Sequence, residues 1–172
     1  MLDIGFGGGD ILIRLSRWAK NDGFHLTITA IDSDQRSHAF VEKWFQNGDD
    51  IHFKHLRLEE IAAEQESFDF VISNHLMHHL KTDELQNMLE IAKSLARRKV
   101  LFNDIERSAI GYRLFQSATG LIPAFRRSFI RDDGMISVRK SFTRAELSEI
   151  IPHGYTVEPW FPFRLLACYE AE

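Results

Sequence analysis

At 172 residues, with 44% hydrophobic and 27% charged residues, the chain has the composition of one ordinary globular domain, long enough to bury a substantial core. A formal charge of −4 gives no whole-chain reason to expect nucleic acid or an anionic membrane as a partner. Cys168 is the single cysteine, which excludes an intrachain disulfide and suits a cytoplasmic protein, and no apolar run approaches the ~20 residues of a membrane span.

Leu2 to Ile4 read as a buried strand, Gly5 to Gly9 as a tight loop, and Ile11 to Lys20 as a helix with Ile11, Leu12, Leu15, Trp18 and Ala19 at a spacing suited to packing on a sheet. A glycine loop between strand and helix lets backbone amides approach a ligand closely, because no Cβ stands in the way. Asn21-Asp22-Gly23 stops the helix, and His25 to Ile31, rich in β-branched residues, predicts the second strand. It runs into Asp32-Ser33-Asp34. An acid at the carboxyl end of this strand is placed to accept the hydroxyls of a ribose. The plain alternative is a helix N-cap, a role that fits Asp34 ahead of a helix from Gln35 to Gln46.

Asn47 to Asp50 reads as a turn, Ile51 to His55 as the third strand, and Leu56 to Ile61 as a loop entering a short helical turn. Phe68 to Asn74 is the clearest buried strand, an apolar run closed by polar residues. A helix is predicted from Thr82 through Leu95, with Arg97, Arg98 and Lys99 gathered at its end as the helix dipole favours. Val100 to Asp104 follows as the fifth strand. Asp3, Asp32, Asn74 and Asp104 then fall on one rim of an open parallel sheet, the edge on which ligands bind near the reversal of strand order.

Between Ile105 and Lys140 the composition turns basic and aromatic, with Arg107, Arg113, Arg126, Arg127, Arg131 and Arg139 interleaved with Tyr112, Phe115, Phe125 and Phe129. Ala109 to Ala118 is amphipathic and is expected to break at Gly120 and Pro123. So long a connection suggests an inserted substrate cover. The alternative is a solvated basic face whose aromatics lie in the core. Thr143-Arg144-Ala145-Glu146 is a capping box opening a helix from Ala145 to Ile151, which Pro152-His153-Gly154 ends. Tyr155 to Phe161 and Phe163 to Tyr169 read as two closing antiparallel strands.

Gly5-x-Gly7-x-Gly9 after Leu2-Asp3 resembles motif I of the class I S-adenosylmethionine-dependent methyltransferases. Phe68-Asp69-x-Val71-x-Ser73, followed by His78-His79-Leu80, resembles their motif IV segment in small-molecule enzymes. The match runs from Leu2 to about Asp104. It departs from the pattern at Arg57, where the family often carries an Asp facing the adenine amino group. The resemblance implies an α/β, Rossmann-like, doubly wound and mostly parallel sheet with an antiparallel C-terminal hairpin, forming a single methyltransferase domain over 1–172 with the cover at about 105–140. It implies S-adenosylmethionine as cofactor, held by Asp3, Gly5, Gly7, Gly9, Asp32, Ser33, Asn74 and the backbone amide of Leu58. The family normally carries helices before the first strand, so the functional protein is expected to begin upstream of Met1.

Methyl transfer needs positioning and a base for the acceptor, and His75 and His78 are the candidates for the base; the alternative is that His78 and His79 are structural. No metal is expected, because three histidines and one distant cysteine lack the zinc spacing. The acceptor is expected to be a small hydroxylated aromatic or lipid-like metabolite, methylated on oxygen. The alternatives are RNA methylation, with the basic insert as landing surface, and a non-catalytic partner subunit. A nicotinamide oxidoreductase is disfavoured by Asp10 at the last position of the glycine pattern.

Overall fold

The computed structural model describes residues 1–45, 50–121 and 129–171. A seven-stranded sheet forms its centre: β1 (Leu2–Ile4), β2 (Ile28–Asp32), β3 (Ile51–His55), β4 (Phe68–Asn74), β5 (Ala96–Ile105), β6 (Thr156–Trp160) and β7 (Arg164–Glu170). Their order across the sheet is β3-β2-β1-β4-β5-β7-β6. The first five strands are parallel, and β7 runs antiparallel to both β5 and β6. Strand order reverses between β1 and β4, so the crevice above their carboxyl ends is where this topology places a ligand.

Period-two alternation distributes the strand side chains to two cores. Leu2, Ile4 and Ile31 join Val71, Phe102 and Leu165 in the larger core, together with α3 (Leu58–Ala63), α4 (Thr82–Leu95) and α7 (Arg144–Ile150). Ile28 and Ala30 turn the other way, toward Leu12 of α1 (Asp10–Asn21) and Val41 of α2 (Gln35–Trp44). Several elements start and stop where local chemistry dictates. Asp34 caps α2 through its side chain on the Arg36 amide at 2.9 Å, and Thr143 with Glu146 closes the capping box of α7.

The structure corrects the sequence reading in four places. β2 starts at Ile28 rather than His25, where its amide meets Asp50 and the ladder to β3 begins. Arg97, Arg98 and Lys99 do not sit at the end of α4 but inside β5. Ladders to β4 and β7 extend the strand back to them, and their side chains find surface partners: Arg97 donates to Ser67 at 2.8 Å and Lys99 pairs with Glu170 at 2.8 Å. Gly120 does not end α5 (Ala109–Leu121), as a single glycine costs a helix only about 1 kcal/mol. Finally, Phe129–Lys140 is a helix, α6, that the sequence did not announce. Gly134 lets the Phe115 ring of α5 lie directly against it, and Arg139 reaches the Tyr112 hydroxyl at 2.7 Å. The predicted turn at Asn47, Gly48 and Asp49, the helix end at Gln46, and Pro123, Phe125, Arg126 and Arg127 lie outside the described residues.

The loop after β1 rests on glycines with φ of +79° at Gly5, +53° at Gly7 and +72° at Gly9. Gly9 is the residue before α1, is buried, and a Cβ there would stand 3.1 Å from the Phe53 ring and 3.2 Å from Val41. Gly9→Val is therefore expected to lose roughly 2–5 kcal/mol in urea denaturation, combining left-handed strain with overpacking. Gly7 faces open space, with nothing within 4 Å of the same Cβ position. Gly7→Ala is expected to lose only the strain, about 1–2 kcal/mol. Equal losses at the two positions would contradict this packing.

Candidate functional site

A cleft of about 550 Å³ opens at the reversal of strand order, within the size range of small-molecule sites. Gly5 after β1, Asp32 at the end of β2 with Ser33 beyond it, Leu58 at the start of α3 and His75 after β4 all line it. Leu56, Leu76, Leu80 and Met88 supply an apolar wall. The structure thus brings Gly5, Asp32, Ser33, Leu58 and His75 into one space. Gly7 stands exposed in the loop, while Gly9, Asp3 and His78 are buried outside the lining. Asn74 ends β4, where its side-chain oxygen accepts from Asn103 at 2.5 Å.

Asp32 ties the two binding turns together. One carboxylate oxygen accepts the Gly7 amide at 2.9 Å and the other accepts the Asp34 amide at 2.8 Å. A carboxylate has about four acceptor positions, so each oxygen keeps one for a ligand hydroxyl. Combined with the open space beside Gly7, this cradle fits a nucleoside-containing cofactor. Arg57, the departure from the family pattern, pairs loosely with Glu59 at 3.6 Å while its amide donates to Glu60 at 2.6 Å.

Asp3 lies one residue inside β1 and is 4% exposed. Burial first, and then the charge of Asp32, push its carboxyl up to about 7. The sign follows directly. Between pH ~4 and ~7 the unfolded carboxyl ionises while the folded one keeps its proton, so stability falls as pH rises through that window. Asp3→Asn is expected to flatten this slope, gaining up to about 4 kcal/mol on the parent protein between pH 4 and pH 8. Parallel stability–pH curves for the two proteins would contradict it.

The histidines divide into two environments. His78, in a 3₁₀ turn over Met77–His79, has a side chain only 2% exposed. Its Nδ1 donates to Asp104 Oδ1 at 2.7 Å, and its amide donates to Asp104 Oδ2 at 2.9 Å. The Ile105 amide adds a third donor at 2.7 Å. Burial pushes the Asp104 carboxyl up, but His78 and the two amides outweigh it and hold it below the usual range. His78 Nε2 is buried with no partner among the described residues. His75 has a left-handed backbone (φ +61°) fixed by its amide on the Asn103 carbonyl at 2.9 Å. Its Nε2 accepts from the Arg164 guanidinium at the start of β7. Burial, then the Arg164 charge, lower its pKa; burial and then His78 do the same to His79, whose ring lies 4.1 Å from that of His78.

One participant, Arg164, and one pairing, that of Asp104 with His78, escaped the sequence reading. Arg164 carries a signal only in hindsight, as a lone cation opening an apolar strand that returns antiparallel to the rim. Asp104 was placed on the rim, but its pairing with His78 is a tertiary fact. Among the described residues no group of acidic, histidine and cysteine side chains is arranged to hold a metal, and no helix is long and apolar enough to cross a membrane.

Residues 1–99 match the family model described as "Methyltransferase domain". No curated protein sequence matches the chain. Among solved structures, the chain is similar to the plantazolicin methyltransferase BpumL in complex with a pentazolic desmethylPZN analog and SAH (13% identity, TM-score 0.69, covering 99% of this chain and 76% of that one). It is also similar to magnesium protoporphyrin IX methyltransferase (ChlM) from Synechocystis PCC 6803 with bound SAH (18%, TM-score 0.58, 99% and 73%). A third is DhpI in its SAM-HEP complex (20%, TM-score 0.62, 97% and 76%). At these identities the neighbours share the fold, and the family match extends over more than half of the chain: this protein belongs to the methyltransferase-domain family and has the class I, S-adenosylmethionine-dependent fold.

Proposed function

We propose that residues 1–172 form one methyltransferase domain that binds S-adenosylmethionine in the cleft above β1 and β4 and methylates an oxygen of a small hydroxylated aromatic or lipid-like metabolite. The observation that carries this reading is the convergence of the Gly5 loop, the free acceptor positions of Asp32 and the half-buried His75 on one cleft. Asp32 and Ser33 take the ribose, the Gly5–Gly9 loop and Asn74 border the amino-acid end, and the Leu58 amide faces the base. Asp3, buried in β1 just before the loop, has a carboxyl pushed up to about 7, by burial first and then by the charge of Asp32. When bound, S-adenosylmethionine supplies an electrophilic methyl group.

The protein's own residues then orient the acceptor and take its proton. His75 is half-buried, lines the cleft and stays neutral near pH 7, so its Nε2 is the proton acceptor. His78 is too buried to touch an acceptor; with Asp104 it is a positioning residue that fixes the turn carrying His75 and His79. Residues 105–140 supply the cover: α6 carries Asp133 and Lys140 within electrostatic reach of His79. Arg126 and Arg127, the cover's central cations in the sequence, lie outside the described residues.

Thermal-shift titration with S-adenosylhomocysteine, S-adenosylmethionine and NADH tests the cofactor, and transfer of labelled methyl to a panel of phenols and hydroxy acids tests the acceptor. Stabilisation by the first two ligands and label on a panel member are expected. Stabilisation by NADH alone would overturn the reading.

A further inference from the structure

Arg164 contacts the cleft residue His75 and has no part in the cofactor binding proposed above. It opens β7, opposite Ile105 of β5 and Trp160 of β6, directly after the hairpin tip. Its guanidinium is half-buried, and burial lowers its pKa, with the charge of Asp104 working against this. It forms no salt bridge among the described residues, and its hydrogen bond goes to a neutral partner, His75 Nε2. The carboxylate nearest in charge, Asp104, already accepts three donors from His78 and Ile105. A guanidinium offers five N–H donors in a planar fork that matches a carboxylate, so most of this one's capacity is unspent. Partial burial of a cation without an anion is costly, and such a group is poised to receive one.

The position tells which molecule brings the anion. Asp32, on β2, marks the nucleoside end of the cleft; His75 follows β4, and β7 lies two strands further across the sheet. Arg164 is therefore on the far side of His75 from the nucleoside end, where the acceptor of the proposed reaction enters.

We propose that Arg164 is the anion-binding residue of the acceptor site: a carboxylate next to the hydroxyl to be methylated takes its guanidinium, and this releases His75 Nε2 to accept the hydroxyl proton. The acceptor class narrows accordingly to small hydroxy acids. The assignment rests on the methyltransferase reading above, and it makes proton uptake conditional on an acidic acceptor. Without one, the base is engaged by Arg164. The charged and titratable groups facing His75 are Arg164, Asp104, His78 and His79, and of these Arg164 and Asp104 are the charges that act most directly on it.

Histidine-labelled protein followed by NMR, with benzoate as the probe and benzyl alcohol as its uncharged counterpart, tests the assignment; calorimetry with S-adenosylhomocysteine is run on the same samples. Benzoate is expected to move the His75 ring resonances and raise its pKa, because a cation is neutralised and Nε2 freed, while benzyl alcohol leaves both unmoved. Arg164→Gln is expected to weaken benzoate about tenfold or more. Arg164→Lys, which keeps the charge without the fork, is expected to fall between, and neither variant should change S-adenosylhomocysteine affinity. Benzoate binding equally well to Arg164→Gln, benzyl alcohol binding as tightly as benzoate, or a His75 ring that ignores benzoate would each overturn the assignment. If Arg164→Gln does not fold, the wild-type titration and Arg164→Lys still decide it. Failure of the wild-type protein to bind S-adenosylhomocysteine would count against the methyltransferase reading, and the benzoate arm, run on the chain alone, would still decide the role of Arg164.

Discussion

Asp104→Ala is expected to destabilise the protein by roughly 3–5 kcal/mol, because it leaves several buried donors without an acceptor at once. Three donors depend on this carboxylate: His78 Nδ1, the His78 amide and the Ile105 amide. Both side chains are almost fully covered, at 2% and 3% exposure, so water cannot take over. Asp104→Asn keeps an acceptor and is expected to lose less. Because the native carboxyl is held below its usual range, its contribution is present above the unfolded pKa near 4 and is lost as pH falls through the folded value. The alanine variant should therefore show a weaker acid dependence of stability than its parent. Urea denaturation at neutral pH and at pH 3–4 measures both effects. A loss below about 1 kcal/mol would mean that the His78 turn does not rely on this pair.

Much of the frame was legible because its signals are local. The Ile51–His55 strand, the run from Phe68 to Asn74 and the helix from Thr82 to Leu95 follow from periodicity and punctuation in short windows, and all three match. α6 was not legible. Gly134 and the β-branched Ile136 and Val138 argue against a helix locally, and its packing on Phe115 and Tyr112 overrides them. The start of β5 was misread for a similar reason, since a basic run after a helix looks like a cap until two neighbouring strands claim it.

The candidate site divides along the same line. Gly5 and Asp32 are spaced by one βαβ unit, so sequence distance carries their relation. His78 and Asp104 are 26 residues apart, and His75 and Arg164 are 89 apart. Sequence spacing gave no hint that the first histidine of the pair at 78–79 would face inward onto a carboxylate, or that the closing hairpin would deliver a cation to the base. Arg164 entered only through the antiparallel return of β7.

The second large effect is expected at Asp32. Its carboxylate pins the Gly7 and Asp34 amides, and it is assigned both ribose hydroxyls. Hydrogen bonds to a charged group contribute roughly 1.5–3 kcal/mol each, so Asp32→Ala should weaken S-adenosylhomocysteine about a hundredfold or more. Fold stability should fall far less than for Asp104→Ala, because Asp32 is partly exposed and water can replace it at the two amides. A carboxylate that only caps the turn would give the reverse, a stability loss with affinity intact. Calorimetric titration of S-adenosylhomocysteine into the wild-type protein and Asp32→Ala, side by side, tests the central claim most directly. Saturable one-site binding by the wild type and its near abolition in the variant is the expected result; no binding by the wild type, or equal binding by both, would contradict the account.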